Sequence, residues 1–328
     1  MGFEIGNEPD LRFPDDRYRV QDFVKEFRSF AAAIRKRVPR ARFVGPGATY
    51  YPSAELQFLT RGIDEWTVPF ADVVGKEIVQ LTHHIYVVGQ PYWTEPEETY
   101  VARIPALLSS ASRDRYIGIL EKLAKAAERN GITYRTNKTN SCHHGGKDGV
   151  SNTLASALWG AHCLFTLAGY GACGVNLHAG TQFYTPIDTQ ESEKSKGRPL
   201  YYGLLLFRAC GADRLMPAKA DRRDNAEVGT YAVLARDGSI SVAITNREVL
   251  KNVTVQLHVT RYFKTGRVLR LEAPSLSATA DVTFGPASVS QDGTWTAVSS
   301  EVVSREGRVF TLRVPCASAA VVKFDKSR

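Results

Sequence analysis

Cysteine and methionine are scarce, at five and two in 328 residues. The cysteines Cys142, Cys163, Cys173, Cys210 and Cys316 are odd in number and nowhere closely paired. That pattern signals neither a disulfide framework nor a zinc site, and most of the five are expected to be small buried hydrophobes. Long apolar runs are also missing. None approaches the roughly 18 residues of a helical membrane span, so no span is expected. Internal repeats and low-complexity tracts are absent. Hydrophobic residues at 43% and charged residues at 23% match a globular chain and exclude disorder. At ~150 residues per domain the length allows about two domains.

After Met1 the sequence GFEIGNEP has no basic or apolar leader region. It therefore carries no secretory signal as given, which leaves a cytoplasmic protein or an N-terminus lying elsewhere as open alternatives. The net charge of +8 comes from scattered basic residues, with one dense cluster at Arg35, Lys36, Arg37, Arg40 and Arg42. Nucleic acid can use such a patch. A helix C-terminus whose cations complement the macrodipole explains it equally simply, so no nucleic-acid partner is expected. A weakly basic surface also suits an acidic sugar.

The first two thirds of the chain alternate between strand and helix patterns. Residues 2–6 read as a short buried strand, and 17–38 as an amphipathic helix with Val20, Phe23, Val24, Phe27, Phe30, Ala31 and Ile34 on one face. A strand at 41–45 leads into a loop with Pro46, Gly47 and Pro52, and a helical stretch near 53–62 follows. A strand at 78–86, helices at about 99–112 and 113–130, and a strand at 132–137 come next, with Asn130-Gly131 as a helix stop. Ser151 is a candidate cap for a helix to about 169, followed by a buried strand at 174–178 and an apolar helix at 200–209. Five strands with long crossovers predict an α/β unit over 1–214. From 215 to 328 the period becomes two. A hairpin turns at Asp237-Gly238, and strands are expected near 252–259, 266–272, 281–284, 294–298 and 308–325, giving an antiparallel β-sandwich.

Polar residues collect at the C-terminal ends of four strands: Gly6-Asn7-Glu8-Pro9-Asp10, Thr82-His83-His84-Ile85-Tyr86, the segment 134–141 and Gly174-Val175-Asn176-Leu177-His178. A barrel enzyme assembles its site there, because side chains converge only at that end. A carboxyl such as Glu8 acts as a general acid where its surroundings leave it protonated, and Asn7 can hold a sugar hydroxyl. Pro9 fixing a strand-to-loop corner is the plain alternative. Adjacent strand residues point oppositely, so His83 and His84 are expected to divide between core and solvent and to bind no metal.

Together GNEPDL at 6–11, THHIY at 82–86, TNS followed by GG, GVSNTLASALWGAHCLF at 149–165, GVNLH at 174–178 and YYGLLLF at 201–207 resemble the retaining β-glucuronidases and heparanases of glycoside hydrolase family 79. The resemblance implies a (β/α)8 TIM-type barrel with an attached β-sandwich that hydrolyses glucuronides or other uronic-acid-containing glycans, with no cofactor and no metal. It makes Glu8 the acid/base, Asn7 and His84 sugar-side neighbours, Tyr86 an aromatic hydroxyl beside the nucleophile, and Gly180 and Tyr184 residues near the uronate carboxylate. It also implies an extracellular or periplasmic setting. Glu8 corresponds to the fourth barrel strand, so a partial barrel of strands 4 to 8 is expected, completed by a missing N-terminal segment or a second chain.

One departure bears on chemistry. Where the family carries its nucleophilic glutamate, this sequence carries Lys138. Retention needs two carboxyls ~5 to 5.5 Å apart, and an ammonium forms no glycosyl ester. Lys138 should also pair with Glu8 and remove the proton an acid must give. The expectation is a glucuronidase-like chain impaired in catalysis, with a non-catalytic carbohydrate-binding pseudoenzyme as the alternative. A third reading keeps only the β-sandwich as an interaction module.

Overall fold

The computed structural model describes residues 2–12, 18–50, 62–89, 101–180, 182–188, 195–211, 213–218, 226–259, 263–290, 292–296, 298 and 301–325. The chain forms two compact units, one of Met1–His144 with Thr166–His178, the other of Gly145–Phe165 with Ala179–Arg328.

The first unit is built on a parallel sheet of five strands in sequential order: β1 (Phe3–Glu4), β2 (Phe43–Tyr50), β3 (Gln80–Ile85), β4 (Thr133–Thr139) and β5 (Val175–Leu177). Helix α1 (Val20–Arg37) connects the first two strands. Its residues Phe23, Val24, Phe27 and Ala31 are buried, as their helical spacing predicts. Phe27 meets Phe43 of β2 and Phe70 of α2 (Val68–Val74) edge-on, with ring centroids 6.0 and 5.3 Å apart. Such aromatic pairs add to area burial and fix the helix layer against the sheet. The expected helix near 53–62 lies almost wholly outside the described residues.

Several elements depart from expectation. β1 and β5 are exposed or half-exposed rather than buried, because they form the two edges of the described sheet, while β3 at its centre is buried from Leu81 to Ile85. Phe30 of α1 is 52% exposed. β2 runs on through Pro46 and Gly47, where a loop is expected. The register against β3 shifts between Pro46 and Ala48, so the proline without an N–H sits at a bulge. Helix α3 (Ile104–Leu108) breaks from α4 (Ser110–Asn130) at Ser109, earlier than predicted, because the Ser109 hydroxyl accepts the Ser112 N–H and caps the second helix. α4 stops at Gly131, whose φ of 64° suits glycine.

The helix after Gly149 is α5 (Leu154–Gly169). Ser151 does not cap it. Its hydroxyl accepts the Lys147 N–H within the preceding turn.

The second unit holds α6 (Pro199–Ala209), a two-stranded pair β6 (Ile187–Asp188) and β7 (Lys196–Gly197), and a large antiparallel sheet. That sheet contains β8 (Arg214–Met216), β9 (Val228–Leu234), β10 (Ile240–Asn246), β11 (Val253–Leu257), β12 (Thr265–Glu272), β13 (Thr283–Phe284), β14 (Glu301–Glu306), β15 (Val309–Val314) and β16 (Ser318–Phe324). The β9–β10 hairpin turns at Asp237-Gly238 as predicted, with Gly238 at φ 87°. Val242 and Ile244 of β10 share a core with Leu257 of β11, Phe310 and Leu312 of β15, and Val322 and Phe324 of β16. Strands distant in the sheet order thus pack face to face across one dry interior, as in a sandwich.

The strand expected at 294–298 is absent among its described residues. Trp295 instead stacks on Phe284 at 5.0 Å and donates its indole N–H to the Phe284 carbonyl. The expected strand at 308–325 is two strands, broken at Pro315–Ala317, where Ala317 takes a φ of 50°.

Candidate active site

Glu8 follows β1 by four residues and sits in the left-handed region at φ 48° and ψ 55°. A non-glycine residue rarely adopts that conformation unless its surroundings impose it. Here its N–H donates to the Gly47 carbonyl at 3.0 Å, and Pro9–Leu11 forms a tight 3-10 turn beyond it. The buried Asp10 carboxylate accepts the Thr49 N–H of β2 at 3.1 and 3.2 Å. These contacts hold the Glu8 turn against the end of β2.

Two side chains converge on Glu8. His84 Nδ1 and Lys138 Nζ lie 2.8 and 2.7 Å from the same carboxylate oxygen, and Lys138 also donates to Asn7 Oδ1 at 3.3 Å. Glu8 and Lys138 side chains are 12% and 21% exposed. Burial pushes the Glu8 carboxyl up, but hydrogen bonds and charge from His84 and Lys138 outweigh it and hold the pKa down to about 2. Two residues further on, Asp10 is pushed up to about 7, chiefly by burial; the Thr49 amide opposes and the Glu8 charge adds.

A second carboxylate completes the arrangement. Glu4 accepts both the Asn137 amide, at 2.7 and 2.8 Å, and the Thr82 hydroxyl at 2.5 Å. Asn137 Nδ2 is also 3.2 Å from His84 Nε2. His84 is thus held between the Asn137 amide at Nε2 and the Glu8 carboxylate at Nδ1. Thr82 in turn accepts the Gly47 N–H at 3.0 Å, which the bulge in β2 has released from the ladder.

Strand alternation would send Asn137 and Lys138 to opposite faces. The register of β4 against β3 shifts so that Thr136 pairs with His83 and Lys138 with His84, leaving Asn137 as the extra residue of a bulge. Both side chains therefore reach the polar cluster, Asn137 to His84 and Glu4, Lys138 to Glu8 and Asn7. Bulges beside active sites re-aim side chains in this way.

The two adjacent histidines separate, but both are buried, at 0% and 2% exposure, so neither lies in solvent as expected. His83 Nδ1 is 2.8 Å from the Thr67 hydroxyl, and burial lowers its pKa to about 3, with the neighbouring His84 adding to the effect. It is a neutral core residue. Tyr86, just past β3, places its hydroxyl 3.0 Å from His178 Nδ1, and its ring is edge-on to His143. His143 is held near pKa 3, mainly by burial and then by His144, with which it shares a short Nδ1–Nδ1 contact. Among the described residues, no group of three or more His, Cys, Asp or Glu is placed to hold a metal ion.

Of the residues singled out from sequence, Asn7, Glu8, His84 and Lys138 are in direct contact, and Tyr86 contacts His178 in the same unit. Gly180 and Tyr184 belong to the other compact unit, where Gly180 is exposed and Tyr184 is fully buried with its N–H on the Gly145 carbonyl. Thr82, Asn137 and Asp10 lie in the strand-end segments singled out from sequence but were given no role there, and Glu4 was not singled out. The glutamate two residues before Gly6 was the one available signal. A cleft of 640 Å³ opens beside this cluster, between Glu4–Arg12 and the Phe23, Phe30 and Ile34 face of α1. Glu8 lies on its wall, whereas His84, Tyr86 and Lys138 do not line it.

Comparison with known proteins bears on the fold and the family resemblance. Residues 230–321 match the glycosyl hydrolase family 79 C-terminal beta domain. A β-glucuronidase of Aspergillus niger is 24% identical over 275 residues, covering 74% of this chain and 47% of its own length. The chain thus spans about half of that relative. Among solved structures, a 4-O-α-L-rhamnosyl-β-D-glucuronidase from Fusarium oxysporum superposes with a TM-score of 0.77 over 98% of this chain and 70% of its own, at 16% identity. An arabinofuranosidase of glycoside hydrolase family 51 from Xanthomonas axonopodis pv. citri gives 0.67 over 94% and 63%, also at 16%. At such identities the structural likeness speaks for the fold. With the family-specific β domain and the curated relative, it supports the resemblance of this chain to glycoside hydrolase family 79.

Proposed function

We propose that this is a β-glucuronidase-type glycoside hydrolase chain whose glucuronide-sized site is silenced by Lys138. In this reading residues 1–214 supply strands 4 to 8 of a (β/α)8 barrel and residues 215–328 its β-sandwich. Likeness to a β-glucuronidase and to glycoside hydrolase folds supports the glycosidase-like character.

The observation that carries the silencing is the 2.7 Å contact between Lys138 Nζ and Glu8 Oε1. A retaining enzyme protonates the leaving oxygen with one carboxyl and attacks the anomeric carbon with the other. Lys138 has no carboxylate to attack with. Its contact also helps hold Glu8 at a pKa of about 2, so at mildly acidic pH Glu8 is an anion with no proton to donate. Both halves of the reaction fail through one residue.

Hydrolysis of an aryl β-glucuronide by the chain and by Lys138→Glu, side by side at mildly acidic pH, tests the reading. The expected result is aglycone release by the variant alone. Appreciable turnover by the unaltered chain would overturn the silencing. The same contact favours a second reading, a non-catalytic glycan-binding protein, because Asn7, Tyr86 and His178 still offer hydrogen-bonding groups beside an ion-paired centre. Saturable heat on titration with glucuronate, without hydrolysis by either protein, would select it.

A further inference from the structure

The surface at Arg35–Arg42 lies outside the site described above. The last turn of α1 carries Arg35, Lys36 and Arg37, and the connection to β2 adds Arg40 and Arg42. All five are exposed. No aspartate or glutamate occurs anywhere between residues 27 and 54. Elsewhere in the same unit several exposed cations have carboxylate partners: Arg12 with Glu26 at 2.7 Å, Lys25 with Asp22 at 3.1 Å, Arg28 with Glu77 at 2.6 Å and Arg129 with Asp72 at 3.0 Å. The five cations of the patch have none among the described residues. Arg35 is held instead over the Phe43 ring at 4.7 Å, which fixes its guanidinium at the base of the patch.

A helix C-terminus explains two or three cations in its last turn. It does not explain Arg40 and Arg42 beyond the helix, nor the lack of any counter-charge over 28 positions of sequence. Arg42 precedes the first residue of β2, whereas the Glu8 turn is bound to Gly47 and Thr49 toward the other end of that strand. The five cations do not line the cleft on whose wall Glu8 lies, although Ile34, the residue before Arg35, does.

We propose that this patch is a second, pocket-independent binding surface for an acidic polysaccharide, a linear glycan bearing carboxylate or sulfate groups. Four of the five cations are arginines, whose planar guanidinium forks match such groups in two-point contacts. The cations cluster at one helix end and a turn rather than along an insertable helix face, and α1 buries Phe23, Val24 and Phe27, so the arrangement does not resemble a helix that enters a DNA groove. The choice of a glycan over nucleic acid rests on the glucuronide reading of the chain, while the anion site itself does not.

Binding of a fluorescent heparin dodecasaccharide, followed by anisotropy across a salt series, tests it, with a DNA duplex of matched charge as the competing polyanion. Arg37→Ser/Arg40→Ser/Arg42→Ser should bind at least ~10-fold more weakly at low salt, with a slope of log K against log salt shallower by about 2. Because the protein is basic overall, Arg208→Ser/Arg214→Ser/Arg308→Ser removes the same charge from the other unit and should keep affinity near that of the parent. Lys138→Ala should bind as the parent does. Equal weakening in both triple variants would reduce the effect to net charge and overturn the site. Loss in Lys138→Ala alone would put the glycan in the pocket and overturn it as well. Tighter binding of DNA than of the dodecasaccharide would overturn the assignment to a glycan. None of these outcomes depends on whether Lys138→Glu regains hydrolysis, so the two proposals fail separately.

Discussion

The two sheets of this molecule solve opposite problems. The inner face of the antiparallel sheet is dry: Val242, Ile244, Leu312, Val322, Phe310 and Phe324 interlock with no charged neighbour in the cluster. The C-terminal ends of the parallel strands instead gather Glu4, Glu8, Thr82, His84, Asn137 and Lys138 into contact. Burial stabilises the first by removing apolar area from water. In the second, desolvated charges gain little net stability from one another, because the cost of burying them offsets their attraction. One region holds a fold together and the other spends part of that stability on a chemical arrangement.

The largest test of this contrast is truncation in the dry core. Phe310→Ala should cost about 3 to 5 kcal/mol in denaturant unfolding. The paired replacement Glu8→Gln/Lys138→Met should stay within about 1 kcal/mol of the parent in the same experiment, because an ion pair is exchanged for neutral groups of similar size. A loss as large as that of Phe310→Ala would break the comparison.

Glycine contacts sharpen it. A Cβ at Gly203 of α6 would meet the Ala157 carbonyl oxygen at 2.3 Å, a backbone atom fixed in a helix, and Gly203→Ala should cost about 1 to 3 kcal/mol. At Gly89 the Cβ would meet the His143 ring at 1.7 Å, which is closer, but a side chain can swing away. Gly89→Ala should therefore lower the melting temperature less and show itself in displaced His143 and His144 resonances.

Acidity separates neighbouring groups within the site itself. Asp10 binds its proton more tightly folded than unfolded, so its contribution to stability falls as pH rises from 3.8 to about 7. Asp10→Asn should flatten that decline in a series of unfolding curves. Glu8 behaves oppositely: the stability gained from its lowered pKa is full above 4.5 and is lost as pH falls toward about 2. The smallest expected effect is on Glu8 alone. In Lys138→Ala its carboxyl resonance should titrate nearer 4.5, since the Lys138 hydrogen bond and charge are lost and only His84 still holds it down. A midpoint still near 2 would show that His84 suffices.

Much of this was legible in the sequence. The buried face of α1, the stop at Gly131, the turn at Asp237-Gly238 and the change from helix-spaced to alternating patterns follow from local periodicity and turn chemistry, and the structure has them. The contact of Glu8 with Lys138 also follows from the family motif and is present. Less legible were features that depend on neighbours. The path of β2 through Pro46-Gly47 requires a bulge whose freed amide finds Thr82. Trp295 leaves its alternating pattern because stacking on Phe284 takes up its ring.

Sequence alone therefore determined most element types, the division into a parallel and an antiparallel part, and the ammonium at position 138. These depend on residue identity and on spacing along one segment. Tertiary structure alone decided that Asn137 and Lys138 share a side, that Glu4 joins the cluster through Asn137, and that Glu8 and Asp10, two residues apart, are driven to opposite acidities. Register between strands and burial against distant groups set those outcomes, and neither quantity belongs to a single stretch of chain.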